Sequence, residues 1–83
     1  MWFVYFIKSK VNNSYYVGCT GDIKKRIKEH NSGKIKSIKH LVPFILVYLE
    51  LYANKTIALK RELELKNNSF KKKEIINRLE NHK

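Results

Sequence analysis

The sequence predicts an α/β fold of the α+β type: a small, three-stranded, largely antiparallel sheet flanked by helices in the order β-β-α-β-α-α. Three short runs rich in β-branched and aromatic residues predict the strands, and helix-capping residues followed by apolar periodicity predict the helices. A short polar turn joins the first two strands, as in an antiparallel hairpin. No repeat or linker interrupts the pattern, so residues 1–83 are expected to form a single domain.

The predicted strands differ in how they signal burial. Residues 2–7 form an unbroken aromatic and β-branched run, which is typical of a strand buried on both faces. Asn12 and Asn13 favour a turn, and residues 14–19 form the second strand. Residues 44–52 form a long third strand.

Capping residues mark the start of three predicted helices. The helices are expected from Thr20 or Asp22 to about Ser32, from Asn54 or Thr56 to about Asn68, and from a Ser69 cap onward. Gly33 ends the first helix, and residues 34–41 are expected to be a basic loop without strong periodicity.

The charge balance points to a polyanionic partner. The chain carries 18 Lys and Arg against 7 Asp and Glu, a net charge of +11, which favours nucleic acid. A membrane surface is less favoured, because the lysines are dispersed and the apolar residues are committed to a core. The remaining alternative is a basic protein whose lysines only solvate its surface.

The cysteine count and the apolar runs exclude several classes of protein. A single cysteine, Cys19, excludes an internal disulfide and a thiolate zinc cluster, and it fits a reducing compartment. No apolar run approaches the roughly 20 residues that a membrane span requires. We therefore expect a cytoplasmic protein that does not contact the membrane.

Arg26 and His30 form one row of the first predicted helix. They lie four residues apart, beside the apolar row of Ile23 and Ile27, so they are expected at the seam between helix and sheet. An isolated Arg–His pair at this spacing more often has an ordinary surface role.

Glu62 is expected to point inward from the second helix. Apolar residues lie four before it and three after it, and a carboxylate on such a stripe is costly without a compensating partner. That partner could be Arg26, a lysine or a divalent metal, and the simplest alternative is an ordinary helix salt bridge. Glu64 is expected to pair with Lys60 on the solvent side.

Tyr5 and Tyr16 lie on adjacent predicted strands and are expected to face the same side of the hairpin. Taken alone, tyrosines in strands are usually core residues with a hydrogen-bonded hydroxyl. Gly18 suggests a close backbone approach or a bulge. Cys19 has no neighbouring base in sequence, which argues against a thiol nucleophile.

In order along the chain, these residues resemble the GIY-YIG nuclease superfamily. Residues 3–5 (Phe-Val-Tyr) stand where the family has Gly-Ile-Tyr, and residues 16–18 (Tyr-Val-Gly) nearly match its second half-motif. Arg26, His30 and Glu62 stand at the positions of the family's helix arginine, its histidine and its metal-binding glutamate. The resemblance spans residues 1 to about 80 and is closest to the small stand-alone (YhbQ-like) bacterial branch.

Two positions depart from the family pattern. Phe3 replaces the first glycine, a change that the stand-alone branch tolerates. Cys19 stands where the DNA-repair branch has a lysine, so one cationic contact is expected to be missing.

The resemblance implies a metal-dependent endonuclease that hydrolyses phosphodiester bonds in DNA during repair or recombination. Glu62 would hold one Mg²⁺ or Mn²⁺ ion, and no small-molecule cofactor is implied. Arg26 would clamp phosphate oxygens. Tyr5 or Tyr16 would activate the water, with His30 as an alternative or assistant. Tyrosine has a pKa near 10, so neighbouring positive charge would have to lower it.

A basic surface is expected to contact the nucleic acid through phosphates, with weak sequence preference. It comprises Lys24, Lys25, Lys28, Lys34, Lys36, Lys39 and Lys71 to Lys73. His40 and His82 are assigned nothing beyond a phosphate contact. The expected partner is DNA, and single-stranded or branched forms suit a small site best. The alternative is a non-catalytic nucleic-acid-binding module on the same fold.

Overall fold

A computed structural model describes residues 1–81 of the chain, so His82 lies outside the described residues. The elements follow the predicted order β-β-α-β-α-α. They are β1 (Trp2–Ser9), β2 (Tyr15–Thr20), α1 (Ile23–Asn31), a short 3-10 helix (Lys39–Leu41), β3 (Phe44–Tyr52), α2 (Lys55–Asn67) and α3 (Ser69–Asn81).

The sheet is fully antiparallel, with β1 in the centre and the strand order β2-β1-β3. The central position explains the apolar run of β1: Val4, Tyr5, Phe6 and Ile7 are all buried. This confirms the predicted α+β fold with a three-stranded sheet.

The two faces of the sheet are covered by different helices. Val4 and Phe6 pack with Ala58, Leu65 and Ile75, so α2 and α3 cover one face. On the other face, α1 packs against a second buried cluster. That cluster is formed by Tyr5, Ile7, Leu41 and Phe44, and Ile23 and Ile27 pack against it. Each fully buried large side chain contributes about 1.5–3 kcal/mol to folding.

The β1–β2 turn depends on Ser9 and on the two predicted asparagines. The Ser9 hydroxyl is fully buried, accepts from the amides of Val11 and Asn12, and donates to the Leu41 carbonyl. Asn13 adopts a φ of 61°, in the left-handed region that asparagine tolerates better than most residues. The turn therefore also ties the hairpin to the loop before β3.

Helix capping follows the sequence at two starts and differs at the third. Asp22 caps α1 through the Lys25 amide, and Asn54 caps α2 through the Ile57 amide. The prediction of a Ser69 cap was wrong, because the Asn68 side chain accepts from the Lys71 amide and Ser69 is already helical.

Two boundaries also shifted. The second strand begins and ends one residue later than predicted. The basic loop is not fully irregular, since it contains the 3-10 helix, which buries Leu41. Within residues 1–81, no helix is both long and apolar enough to span a membrane.

Candidate active site

Tyr5 and Gly18 are cross-strand partners, and their pairing shapes the candidate site. A Cβ atom added at Gly18 would overlap the hydroxyl and ring carbons of Tyr5. The phenol therefore lies across the backbone of β2, which only glycine permits. This gives a physical reason for glycine at the end of the second half-motif.

His30 meets the Tyr5 hydroxyl. Its Nε2 lies 3.0 Å from the Tyr5 oxygen, and both side chains are buried. The two rings pack edge to face at 5.9 Å, and His30 also packs on Phe44 at 5.8 Å. Nδ1 of His30 is buried and has no hydrogen-bond partner within residues 1–81.

Both members of this pair are held in their neutral forms. Burial raises the pKa of Tyr5 to about 12, with Glu62 adding to the rise and Arg26 opposing it. Burial, and then Arg26, lower the pKa of His30. Arg26 does lower the pKa of Tyr5, as expected of a neighbouring positive charge, but desolvation by burial outweighs this effect and the net shift is upward.

Arg26 projects from α1, and protein groups within residues 1–81 hold its guanidinium only weakly. Its Nε is buried and unpartnered within residues 1–81. Its only ion pair there is a loose one, 3.9 Å from Nη1 to Glu29. At that distance, and with the Arg26 and Glu29 side chains 39% and 34% exposed, the ion pair holds the guanidinium only weakly. The exposed part of the Arg26 guanidinium therefore remains available to an oxyanion.

Glu62 lies on the inward face of α2, as predicted. Its neighbours along that stripe, Ala58 and Leu65, are fully buried, and its own side chain is 15% exposed. Of the partners considered from sequence, a lysine is the one found: Lys66 Nζ lies 3.1 Å from a carboxylate oxygen. Lys66 is itself half exposed, so this pair is partly screened by solvent.

Electrostatic coupling shows that these side chains converge at one place. The charges of Glu62 and Arg26 act on the pKa of Tyr5 and also on that of Cys19, which lies on β2. Burial and Glu62 raise the pKa of the Cys19 thiol, so Cys19 stays protonated at neutral pH. The structure therefore joins Tyr5 and His30 directly and places Arg26 and Glu62 within electrostatic reach of Tyr5.

Tyr16 is on the same face of the sheet but in a different environment. It pairs with Ile7, and its ring packs edge to face on Phe44 at 5.7 Å. The predicted common face of Tyr5 and Tyr16 is correct. The two hydroxyls are not equivalent, because only that of Tyr5 bonds to His30.

The candidate active site offers few protein ligands to a divalent metal. Within residues 1–81, no three His, Cys, Asp or Glu side chains gather as ligands. Mg²⁺ and Mn²⁺ do not need such a cage, because one carboxylate with waters and a substrate phosphate suffices. Glu62 supplies that carboxylate, and the partly exposed guanidinium of Arg26 can supply positive charge for the phosphate. The residues fit a substrate-assisted metal site.

Of the nine lysines assigned to the basic surface, Lys71 pairs with Glu64 and Lys72 donates to the Tyr15 carbonyl. The six lysines of α1 and of the segment that follows it are all exposed. Three lie on α1 beside Arg26, and three lie in the following loop and 3-10 helix. None of them takes part in the ion pairs found within residues 1–81. Their charge therefore remains available to a polyanion.

Sequence reasoning missed a second polar cluster, centred on Glu50. Its carboxylate accepts from Tyr48 and Tyr52 and pairs with the Arg61 guanidinium in a two-point contact of 2.9 and 3.0 Å. Alternation of Tyr48, Glu50 and Tyr52 along β3 was the available signal. We define these residues and Arg61 as the Glu50 cluster.

Glu64 belongs to the same region. The predicted Glu64–Lys60 pair was wrong: Glu64 bonds to Arg61 and to Lys71 of α3. The cluster thus links β3, α2 and α3.

Known proteins resemble this chain over nearly all of its length. The family model for the GIY-YIG catalytic domain matches residues 1–82. A UPF0213 protein of Staphylococcus haemolyticus is 42% identical over 86% of this chain and 87% of its own. The UPF0213 protein YazA of Bacillus subtilis is 40% identical over 88% of this chain and 74% of its own.

A solved structure shares the fold. The solution NMR structure of a UPF0213 protein from Bacillus halodurans is 37% identical, with a TM-score of 0.59, over 99% of this chain and 88% of that one.

Proposed function

Because the chain belongs to the GIY-YIG family of catalytic domains, we propose that it is a metal-dependent endonuclease that hydrolyses phosphodiester bonds in DNA. The observation that carries this proposal is the environment of Tyr5. The tyrosine is bonded to a histidine and lies within the electrostatic reach of Arg26 and of the inward carboxylate of Glu62. These groups can supply what phosphodiester hydrolysis needs, a proton acceptor and stabilisation of the charge on the phosphate.

Tyr5 and His30 are proposed to remove the proton from the attacking water. A neutral Tyr5 cannot act as a phenolate base, because its pKa is about 12. With Nε2 of His30 unprotonated, the Tyr5 hydroxyl donates to it. The Tyr5 oxygen can then take the proton of water while its own proton passes to Nε2, so no phenolate accumulates. Tyr16 is left to orient the water or the phosphate.

Arg26 and Glu62 are proposed to handle the charge of the phosphate. The planar guanidinium of Arg26 contacts the non-bridging oxygens, which gain negative charge as the water attacks. Glu62 is the protein ligand of the divalent ion. When bound, that ion supplies Lewis-acid stabilisation of the phosphate and of the leaving oxygen.

The exposed lysines are proposed to hold the DNA through its phosphates. Such contacts carry no sequence information, so we expect weak sequence preference. Log affinity should fall linearly with log salt, with a slope of about −0.7 to −0.9 per neutralised phosphate. A single strand or a distorted duplex presents its phosphates to a small site most easily, which makes these forms the preferred substrates.

A cleavage assay tests this proposal. The wild-type chain is incubated with single-stranded, duplex and forked DNA, with Mg²⁺, with Mn²⁺ or with a chelator, beside a Glu62→Gln control. Metal-dependent cleavage that Glu62→Gln abolishes supports the proposal, since glutamine binds a hard cation poorly. Tight binding of the DNA without cleavage under any of these conditions would favour the non-catalytic binding module instead.

A further inference from the structure

Phe70 lies in the first turn of α3. Its side chain is 75% exposed. The residues through which α3 packs on the sheet are Ile75, Ile76 and Leu79. Phe70 lies off this stripe, so its ring gives nothing to the core, although burying a phenylalanine is worth about 1.5–3 kcal/mol. A large aromatic left in water is available to a ligand.

A cavity of about 310 Å³ opens beside the ring. It lies between α2 and α3 and has Ile75 among its lining residues. The remaining lining residues are Arg61, Asn68, Phe70, Lys71, Glu74 and Arg78. The ring therefore stands next to a recess and not on a flat surface.

The cavity carries charges of both signs. Arg61 and Lys71 are paired with Glu50 and Glu64, and Glu74 adds a carboxylate. Arg78 is a lining cation that makes no ion pair within residues 1–81, and Lys73 is exposed on the same helix. An aromatic ring beside such available cations is the combination that binds unpaired nucleic acid, because bases stack on the ring while phosphates meet the cations.

We propose that Phe70 and the adjoining cavity form a second nucleic-acid contact, in which an unpaired base of the bound strand stacks on the Phe70 ring. We name these residues the Phe70 site. The proposal rests on the proposed function only in taking a nucleic acid as the ligand, and it does not depend on cleavage.

The test strand must be long enough to span the molecule. The longest dimension of the molecule is 30 Å. About nine nucleotides cover that length at roughly 3.4 Å per nucleotide. A 12-nucleotide strand is therefore long enough for the test.

The test combines a protein variant with a modified strand. Binding of 12-nucleotide oligothymidine and of a fully abasic 12-mer is measured for wild type and Phe70→Ala, without divalent ions so that no cleavage occurs. We expect Phe70→Ala to weaken oligothymidine binding about 5- to 100-fold, the range of one aromatic–base stack. On the abasic strand the substitution should have no effect, since only phosphates remain.

Two controls separate stacking from other causes. Leu63, on α2, is another exposed apolar residue, 56% exposed, and Leu63→Ala should leave both affinities unchanged. Phe70→Ala should also leave the salt slope unchanged, because a phenyl ring neutralises no phosphate.

The proposal is overturned if Phe70→Ala binds oligothymidine as wild type does, or if it weakens both strands equally. It is also overturned if wild type binds neither strand, or if Phe70→Ala instead abolishes self-association measured by light scattering. Cleavage by wild type is assayed separately. Loss of stacking with intact cleavage, or the reverse, therefore shows which of the two proposals fails.

Discussion

Two carboxylate–arginine regions of this small protein are chemically alike and organised in opposite ways. In the Glu50 cluster, the carboxylate receives four hydrogen bonds, two from tyrosines and two from Arg61. In the candidate active site, Glu62 has one lysine partner, and Arg26 has a buried Nε with none within the described chain. One region has its polar groups satisfied and the other leaves donors and a carboxylate available.

The difference separates structural from functional polar groups. Buried polar groups are costly when unpartnered, so folding alone selects for clusters such as that around Glu50. Arg61 and its tyrosine neighbours fix α2 against β3, and this holds the adjacent Glu62 on the inward face. The weakly held guanidinium of Arg26 on α1 has no such structural explanation, but a bound phosphate would give its exposed donors partners.

After Glu62→Gln, the largest effect of a conservative substitution is expected at Tyr5. Tyr5→Phe should lower kcat by about 10²- to 10⁴-fold, because it removes the hydroxyl that relays the proton. The unfolding free energy should change by only about 1 kcal/mol, the value of one hydrogen bond. Single-turnover kinetics and urea denaturation measure both quantities.

Tyr48→Phe is the matched control in the Glu50 cluster. It removes one of the four bonds to Glu50 and should lower stability while leaving kcat close to wild type. Wild-type turnover by Tyr5→Phe would eliminate the relay through His30.

Substitution of Arg26 should affect turnover, whereas substitution of Arg61 should affect stability. Arg26→Ala should reduce kcat by about 10²- to 10³-fold, as loss of a group that stabilises transition-state charge does, with affinity for DNA much less affected. Arg26→Lys should recover part of the rate. Arg61→Ala should instead destabilise the fold, by about 3 kcal/mol, because it leaves the Glu50 carboxylate without its buried partner.

Turnover and affinity are measured separately for each arginine variant. Equal loss of both at Arg26 would reduce that residue to an ordinary phosphate contact.

The pH dependence should report on His30. Its lowered pKa means that the folded protein keeps the histidine neutral below pH 6.5, where the unfolded chain binds the proton. Unfolding free energy should therefore fall as the pH drops below about 6.5, and this dependence should be weaker in His30→Gln. Turnover should persist through pH 6.5 and be lost only at lower pH.

Tyr5 should act at the alkaline end. Its pKa is raised to about 12 in the folded protein, whereas a tyrosine in the unfolded chain ionises near pH 10. Between these two values the Tyr5 hydroxyl is protonated only in the folded protein. Stability should fall between these two values. Tyr5→Phe should reduce that fall, and the remainder comes from Tyr48 and Tyr52, whose pKa values are also raised by burial and by Glu50. Denaturant titrations across pH 5–12 decide both points, and a pH-independent wild type would contradict the burial of the pair.

The smallest effect is expected at Glu64. Glu64→Gln removes a solvent-exposed ion-pair partner of Arg61 and Lys71, and surface changes of this kind usually alter stability little. Cleavage rate and affinity should match wild type. A substantial rate loss would show that the Glu50 cluster is not purely structural.

Local sequence patterns predicted most of the fold. The apolar run of β1 indicated a strand buried on both faces, and β1 is indeed the central strand. Spacing by four and three residues placed Glu62 on the inward face of α2. The helix cap at Asn68 was missed because Asn68 and Ser69 are both good caps and adjacent, so only backbone geometry distinguishes them.

Long-range pairings could not be predicted from sequence. The Tyr5–His30 bond joins residues 25 apart in sequence, and its effect on the pKa of Tyr5 depends on burial that periodicity does not measure. Glu50 and Arg61 likewise lie on different elements, and nothing local announces their two-point contact. The common face of Tyr5 and Tyr16 was predictable, but their different neighbours were not.

The catalytic role of Glu62 is best tested by the single-turnover cleavage rate per folded molecule, with Mg²⁺, of Glu62→Gln beside Glu50→Gln. Both substitutions replace one carboxylate by an amide of the same size. We expect Glu62→Gln to bind DNA and to unfold as wild type does but not to cleave. We expect Glu50→Gln to cleave at nearly the wild-type rate and to unfold at a lower urea concentration. Undiminished cleavage by Glu62→Gln, or an equal loss of cleavage in both variants, would contradict that role.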